Sequence, residues 1–274
     1  MASDGRSHGA APQMRGPSTH PVVVDVDIWQ VPLIARRSWI ERNVAVLSDG
    51  ERRRAARRII PRDGDRFAIS HIALRLLLSR YCDVPPAALS LVTDEFGKPR
   101  LSGDQACRDD AGPLQFSLSH AADAALVAVT RKSAVGVDVE RVRPWADVSG
   151  GGLAPFFCPR ELAALRNLPP DALADALTRC WVRKEAVAKA LGTGMIRRSL
   201  ASFEIDVSAR DHDGALMWAG PPESTPTLRD LPMSSGYLAA VAAIGSLRRV
   251  VNRRATVREL TARCAAREPR ARGR

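Results

Sequence analysis

The chain has 274 residues, of which 45% are hydrophobic, and a formal net charge of +11 at pH 7. This length suffices for one large domain or two small ones with a buried core, and no apolar run approaches the roughly 20 residues of a membrane-spanning helix. Only 4 of the 41 basic residues are lysines. A basic surface of this kind attracts phosphates, nucleic acids and acidic proteins, and charge alone does not choose among them.

The N-terminal segment and the cysteines indicate the compartment. Residues 1–21 contain no apolar segment like that of a signal peptide, so we expect a disordered leader on a cytoplasmic protein. The 5 cysteines are widely spaced and include no Cys-x-x-Cys pair. They indicate neither a disulfide framework nor a structural zinc site.

The first part of the chain is predicted to combine two helices with several strands. Ser48 and Glu51 have the spacing of a capping box and predict a basic helix over residues 51–60. A broad apolar face predicts a longer helix over residues 65–81. Short apolar segments predict strands at residues 22–28, 89–93, 114–118, 124–129 and 135–140.

The second part repeats this order of elements. A glycine-rich loop is expected at residues 144–155, followed by a short helix that Pro159 begins. A second long helix is expected over residues 171–191, where Gly192-Thr193-Gly194 ends it. Strands are predicted at residues 202–207, 216–218, 236–243 and 250–257. The repeated order predicts an α+β fold with two similar halves, residues 22–135 and 136–260, before an arginine-rich tail at 261–274 that we expect to be frayed.

Two acidic residues on one strand form the first candidate site. In the segment from Gly136 to Glu140, side chains alternate, so Asp138 and Glu140 share one face while Val137 and Val139 face the core. Their Cα atoms would lie roughly 6.5–7 Å apart. That spacing suits one hard cation, since Mg²⁺ typically takes one or two carboxylates plus phosphates and waters. The alternative is an ordinary half-buried strand with two solvated acids.

A second candidate lies near the end of the later long helix. Glu185 and Lys189 have the i, i+4 spacing that favours a helical ion pair, with the acid first. A surface salt bridge of a few tenths of a kcal/mol would explain the pair by itself. However, Trp181 lies one turn earlier on the same side and the helix ends in Gly-Thr-Gly, which together favour a functional site.

Five motifs support this interpretation through a family resemblance. In chain order they are Phe96-Gly97-Lys98-Pro99, Phe116 to His120, Gly136 to Glu140, Phe156-Phe157 to Glu161, and Trp181 to Lys189 with Gly192 and Gly194. Over about residues 22–260 the chain resembles the Sfp-type 4′-phosphopantetheinyl transferases. The resemblance implies two pseudo-symmetric α+β halves in a monomer, with the active site in the cleft between them. It also implies Mg²⁺-dependent transfer of the phosphopantetheine arm of coenzyme A to a serine of an apo acyl or peptidyl carrier protein, which releases adenosine 3′,5′-bisphosphate.

The resemblance also implies roles for individual residues. The Mg²⁺ ligands would be Asp138, Glu140 and Glu185, and the catalytic residues Glu185 and Lys189. Contacts to coenzyme A are expected from Arg53, Arg66, Lys98, Pro99, Ser119, His120, Lys184 and Lys189. The choice between Arg52 and Arg53 stays open. Glu161 could be metal-related or could stabilise the start of its helix.

Two other classes of function compete with the enzyme. A nucleic-acid-binding protein would explain the arginines, but no zinc-finger, heptad-backed or aromatic RNA-binding pattern occurs, and aromatic residues are only 5% of the chain. A catalytically inactive carrier-protein binder would also fit the motifs. The presence of Asp138, Glu140, Glu185 and Lys189 together argues against a decayed site. The sequence does not choose among carriers of fatty-acid, polyketide or nonribosomal-peptide synthesis, and no membrane partner is expected.

Overall fold

The computed structural model describes residues 22–106, 112–131, 133–144, 154–194, 200–209 and 215–265. The expected leader, most of the glycine-rich loop and the last nine residues of the tail lie outside this part of the chain.

The first half contains one long helix and a sheet. Its helices are α1 (Arg37–Asn43), α2 (Asp49–Ala56), α3 (Pro61–Cys82) and α4 (Gly103–Ala106). Its strands are β1 (Val23–Pro32), β2 (Leu91–Thr93), β3 (Pro99–Leu101), β4 (Leu114–Ala121) and β5 (Ala124–Arg131). The predicted capping box is present, with Ser48 and Glu51 each accepting from the other's backbone N–H.

The second half repeats the pattern. It contains β6 (Val135–Arg141), α5 (Pro159–Arg166), α6 (Pro170–Leu191), β7 (Glu204–Ile205), β8 (Leu216–Met217), β9 (Pro226–Asp230) and β10 (Tyr237–Ile244). Two further elements, β11 (Ser246–Arg254) and α7 (Val257–Ala265), close the described chain.

The two halves correspond element by element. The strands β1, β5 and β4 lie side by side in one sheet, and β6, β10 and β9 lie in the same relation in another. Each half has a 22-residue helix, α3 or α6, followed by a small two-stranded hairpin, β2–β3 or β7–β8. The predicted α+β class with two similar halves is confirmed.

The end of the chain differs from the predicted division. Strand β11 pairs in parallel with β1 and so extends the sheet of the first half. Helix α7 packs against α3 and buries Leu260 in the same core. The prediction that the second half continues to residue 260 is therefore wrong for the described residues. The expected fraying from residue 261 is also wrong as far as Ala265, because a capping box of Thr256 and Glu259 starts α7 and Leu260 anchors it.

A shared apolar core joins the halves and positions β6. Val26 and Ile28 of the first sheet pack with Val137, Val139 and Val241 of the second. The valines of β6 therefore face this core, as predicted, and its acidic residues face away from it. No helix in the described part of the chain is both long and apolar enough to span a membrane.

Candidate active site

The site begins where β4 of the first half runs beside β6 of the second. Two serine side chains of β4 accept hydrogen bonds from the β6 backbone, Ser117 Oγ from the amide of Val137 at 3.1 Å and Ser119 Oγ from that of Val139 at 3.4 Å. Ser119 also donates to Asp138 Oδ1 at 2.6 Å. The structure therefore places Ser119, expected to contact coenzyme A, directly on a candidate metal ligand.

Helix α6 brings the second pair of candidates to β6. The helix crosses the strand at Gly136, where a Cβ atom would lie only 2.0 Å from the carbonyl oxygen of Ala186. Lys189 Nζ donates to Asp138 Oδ1 at 2.6 Å and lies 3.8 Å from Glu185 Oε2. The absence of a side chain at Gly136 is what allows these residues, far apart in sequence, to meet.

The electrostatics of this cluster leave negative charge uncompensated. Burial raises the pKa of Glu185 to about 7; Lys189 opposes this, and Asp138 and Glu140 add to it. The pKa of Glu140 is likewise raised, first by burial and then by Asp138. Burial acts to lower the pKa of Lys189, but the carboxylates of Asp138 and Glu185 outweigh it and the net shift is upward. Lys189 is therefore held as the cation among three crowded acids.

The donor atoms suit a hard cation shared with a substrate. Asp138 Oδ2 and Glu185 Oε1 are buried and have no hydrogen-bond partner among the described residues. Within that same part of the chain, no three histidine, cysteine, aspartate or glutamate side chains are arranged to hold a metal ion by themselves. Mg²⁺ does not require such a closed set, because it usually keeps waters and takes substrate phosphates beside one or two carboxylates. The residues present therefore fit this ion.

A cleft of about 640 Å³ extends from β4 into the first half. It is lined by α2, α3, the β2–β3 hairpin and β4, and its lining includes the predicted residues Pro99 and His120. Arg54 lines it too, whereas the predicted Arg53 is exposed on α2 and is not part of the lining. Gly50, Glu51 and Arg54 share one face of α2, and the packing of this helix turns that face to the cleft.

Two histidines in the cleft have lowered pKa values. His71 stacks on Phe67 with ring centroids 3.8 Å apart, and burial lowers its pKa to about 4. The pKa of His120 is lowered first by burial and then by Arg58 and Lys189. No sequence motif pointed to His71; only the packing of α3 against β4 reveals that it shares the cleft.

Arg66 lies outside the lining of this cleft. It forms ion pairs with Asp123 at 2.8 Å and with Asp63 at 3.1 Å. A phosphate at this position would have to share the guanidinium with those two carboxylates.

Lys184 does not join the cluster, so the expectation that it binds coenzyme A is corrected. Its ammonium is fully buried and donates to Glu161 Oε1 at 2.6 Å, Glu161 Oε2 at 2.8 Å and the carbonyl of Phe203 at 3.0 Å. An ammonium has three donors, so none remains for a phosphate. Glu161 also accepts from the amides of Cys158 and Ile205, at 2.8 and 2.7 Å, which favours its helix-start role over a metal-related one.

Lys98 is also placed differently from its expected role. Its Nζ donates to the backbone carbonyls of Val135, at 3.0 Å, and Lys189. It is not part of the lining of the cleft, although its neighbours Gly97 and Pro99 are.

Comparisons with known proteins agree with the resemblance. Residues 134–242 match the sequence model of the 4′-phosphopantetheinyl transferase superfamily, and residues 35–132 match that of the 4′-phosphopantetheinyl transferase N-terminal family. The 4′-phosphopantetheinyl transferase HetI of Nostoc sp. is 33% identical over 221 residues, which are 81% of this chain and 88% of the relative. The 4′-phosphopantetheinyl transferase Sfp of Bacillus subtilis is 24% identical over 204 residues, 74% of this chain and 84% of the relative. Another 4′-phosphopantetheinyl transferase of Bacillus subtilis is 27% identical over 173 residues, 63% of this chain and 71% of the relative.

Proposed function

Because this chain belongs to the 4′-phosphopantetheinyl transferase superfamily, we propose that it takes the phosphopantetheine arm from coenzyme A in a Mg²⁺-dependent reaction. The acceptor is a serine hydroxyl of an apo acyl or peptidyl carrier protein. The serine oxygen forms a bond to the phosphorus next to the arm, the bond to the bridging pyrophosphate oxygen breaks, and adenosine 3′,5′-bisphosphate leaves.

The observation that carries this proposal is the meeting of Asp138, Glu185 and Lys189 next to β4, whose His120 lines the cleft. Two buried carboxylate oxygens without partners in the described chain lie beside an ammonium. That combination suits a phosphate-bound divalent ion better than a surface salt bridge, because unpaired buried polar atoms are costly unless a ligand satisfies them.

Each residue of the cluster has a distinct part in the reaction. Asp138 and Glu185, with Glu140 beside them, hold the ion, which when bound neutralises pyrophosphate charge and polarises the phosphorus. Lys189, whose side chain is 26% exposed, stabilises charge that develops on the leaving pyrophosphate oxygen. The proposed acceptor of the serine proton is Glu185 or a water molecule held by the ion, since either would lie within reach of a hydroxyl that attacks the phosphorus.

The cleft of the first half supports binding of the nucleotide end. Arg54 supplies a guanidinium that can pair with a phosphate through two parallel hydrogen bonds. His120 can donate a hydrogen bond to a phosphate, and Pro99 supplies an apolar part of the cleft wall. Arg66 stands beside the cleft and would exchange part of its pairing with Asp123 for a phosphate.

The two halves within one chain support action as a monomer. The first half of the chain supplies Ser119 and the cleft, and the second half supplies Asp138, Glu185 and Lys189, so a second copy is not needed to complete the site. Size-exclusion chromatography with light scattering would test this, and a dimer mass would contradict it.

The decisive experiment is transfer itself. The purified chain is incubated with coenzyme A, Mg²⁺ and a panel of apo carrier proteins, and intact carrier mass is recorded. A gain of about 340 Da that EDTA abolishes is expected. Asp138→Asn, which keeps the size of the side chain, should lose transfer while circular dichroism shows a folded protein. Absence of coenzyme A binding by the folded wild-type chain would overturn the proposal.

A further inference from the structure

The turn between β2 and β3 crosses from the first half to the end of α6. Its Lys98 donates from Nζ to the carbonyl of Val135, the first residue of β6, and to the carbonyl of Lys189 on α6. One ammonium thus connects the strand that carries Asp138 and the helix residue that donates to it.

The carbonyl of Lys189 belongs to the last turn of α6, where backbone acceptors lack intrahelical partners. Ala188, just before it, already accepts from the amides of Gly192 and Thr193. Lys98 supplies a partner for the next carbonyl, and a cation at a helix C-terminus is electrostatically favoured.

A separate contact holds the same turn against the same helix end. Gly194 follows α6 with φ of +65°, and a Cβ atom there would lie 2.8 Å from Cβ of Phe96. Phe96 and Lys98 therefore contact the chain on either side of the left-handed residue Gly192, which ends α6. The turn covers the end of the helix rather than touching it at one point.

Hydrogen bonds and backbone conformation within the turn fix the position of Lys98. Asp94 Oδ1 accepts from the amides of Phe96 at 3.0 Å and Lys98 at 2.9 Å. Gly97 adopts φ of +84°, a conformation that glycine allows without steric cost. Burial lowers the pKa of Lys98 to about 8, while Asp94 acts to raise it and Lys189 to lower it.

We propose that Lys98 is a positioning residue that fixes the last turn of α6, and thereby keeps Lys189 Nζ on Asp138, without itself contacting coenzyme A. The inference rests on the proposed function for its kinetic consequences, but the contact can be tested without turnover.

The first test separates positioning from substrate binding. In Lys98→Met, kcat for carrier modification should fall by about 30-fold or more while the Kd for coenzyme A changes by less than about threefold. Lys98→Arg, which keeps a cationic donor, should recover much of kcat. Arg100→Met removes one exposed charge from neighbouring β3 and is the matched control, with kcat and Kd expected to match the wild type.

Hydrogen exchange of the substrate-free protein tests the contact directly. Amides of residues 186–194 should exchange faster in Lys98→Met than in the wild type, with Arg100→Met unchanged. If the methionine variant does not fold, Lys98→Gln gives the same readout. The double variant Lys98→Met/Lys189→Ala should have a kcat no more than about twofold below that of Lys189→Ala alone, because Lys98 acts through Lys189.

The outcomes distinguish this inference from the proposed function. Two results for Lys98→Met would overturn the positioning role. One is unchanged hydrogen exchange at residues 186–194; the other is a Kd for coenzyme A that rises by more than about tenfold while kcat stays unchanged. A wild-type chain that transfers nothing would overturn the proposed function, and the exchange result would still decide whether Lys98 holds the end of α6.

Discussion

The hydroxyl of Ser119 lies 2.6 Å from Asp138 Oδ1 and leaves Asp138 Oδ2 buried without a partner among the described residues. A residue of the first half therefore determines which oxygen of this carboxylate stays available. Since Lys189 donates to the same Oδ1, Oδ2 is the oxygen of Asp138 that would remain for a metal ion.

Ser119→Ala is expected to reduce Mg²⁺ affinity or transfer rate by about 10- to 100-fold, the usual effect of removing a partner that orients a metal ligand. Ser117→Ala is the matched control, because Ser117 accepts from the β6 backbone but is not bonded to Asp138 in the structure. The transfer rate of each variant, measured over a range of Mg²⁺ concentrations, would give both the apparent Mg²⁺ affinity and the maximal rate. Equal losses in the two variants would show that Ser119 only joins β4 to β6.

Gly136→Ala should destabilise the fold by about 1–3 kcal/mol, because the added methyl group meets backbone atoms of α6 that cannot move independently. Urea denaturation would measure the free energy of unfolding. Gly103→Ala has no atom within 4 Å of its new Cβ and should be close to neutral. A stable Gly136→Ala variant with full activity would contradict the close packing of β6 and α6.

Lys184→Met should cost about 3–5 kcal/mol of unfolding free energy, because it leaves the buried Glu161 without its cation. The folded fraction should bind coenzyme A as the wild type does. By contrast, Arg37→Ala removes an exposed cation paired with Glu41 and Asp65 and should cost less than about 1 kcal/mol. If Lys184→Met instead weakened coenzyme A binding without loss of stability, the contact of Lys184 with coenzyme A expected from the sequence would be supported.

Arg54→Ala should weaken coenzyme A binding by about tenfold through loss of a charge-assisted phosphate contact, whereas Arg53→Ala should change it by less than about twofold. Calorimetry at one fixed salt concentration compares the two neighbours, which have the same charge and lie on the same helix. A larger loss of binding in Arg53→Ala than in Arg54→Ala would show that Arg53, as expected from the sequence, is the residue that contacts the phosphate.

Stability should fall on acidification because of His71. Its pKa is lowered by burial to about 4 from an ordinary value of 6.5, so the unfolded chain binds more protons between these values. The contribution of neutral His71 to the free energy of unfolding is complete above pH 6.5 and is lost as the pH falls through 4, with a size of about 3 kcal/mol. Urea denaturation of His71→Phe and of the wild type should show that the difference in their free energies of unfolding changes between pH 6.5 and pH 4. A constant difference would contradict a neutral buried His71.

Several parts of the fold and site follow from local sequence. Alternation places Asp138 and Glu140 opposite Val137 and Val139, and the i, i+4 spacing places Lys189 beside Glu185. The capping box at Ser48 and the end of α6 at Gly192 depend likewise on residues a few positions apart. These features could be predicted because each is set by the backbone geometry of one helix, strand or turn.

The partners of these elements could not be predicted in the same way. Arg53 and Arg54 carry the same charge on the same helix, and only the packing of α2 places one of them in the cleft. Lys184 and Lys98 belong to recognisable motifs, yet their ammonium groups are held by Glu161 and by two backbone carbonyls. Strand β11 could have joined either sheet, and it pairs with β1, which begins more than 200 positions earlier. The sequence by itself thus determined the two long helices, most of the strands and the acidic pair on β6, but it gave no signal for α1, β9 or α7. The tertiary structure alone decided which faces meet, because long-range packing depends on the fit of whole surfaces that no local periodicity encodes.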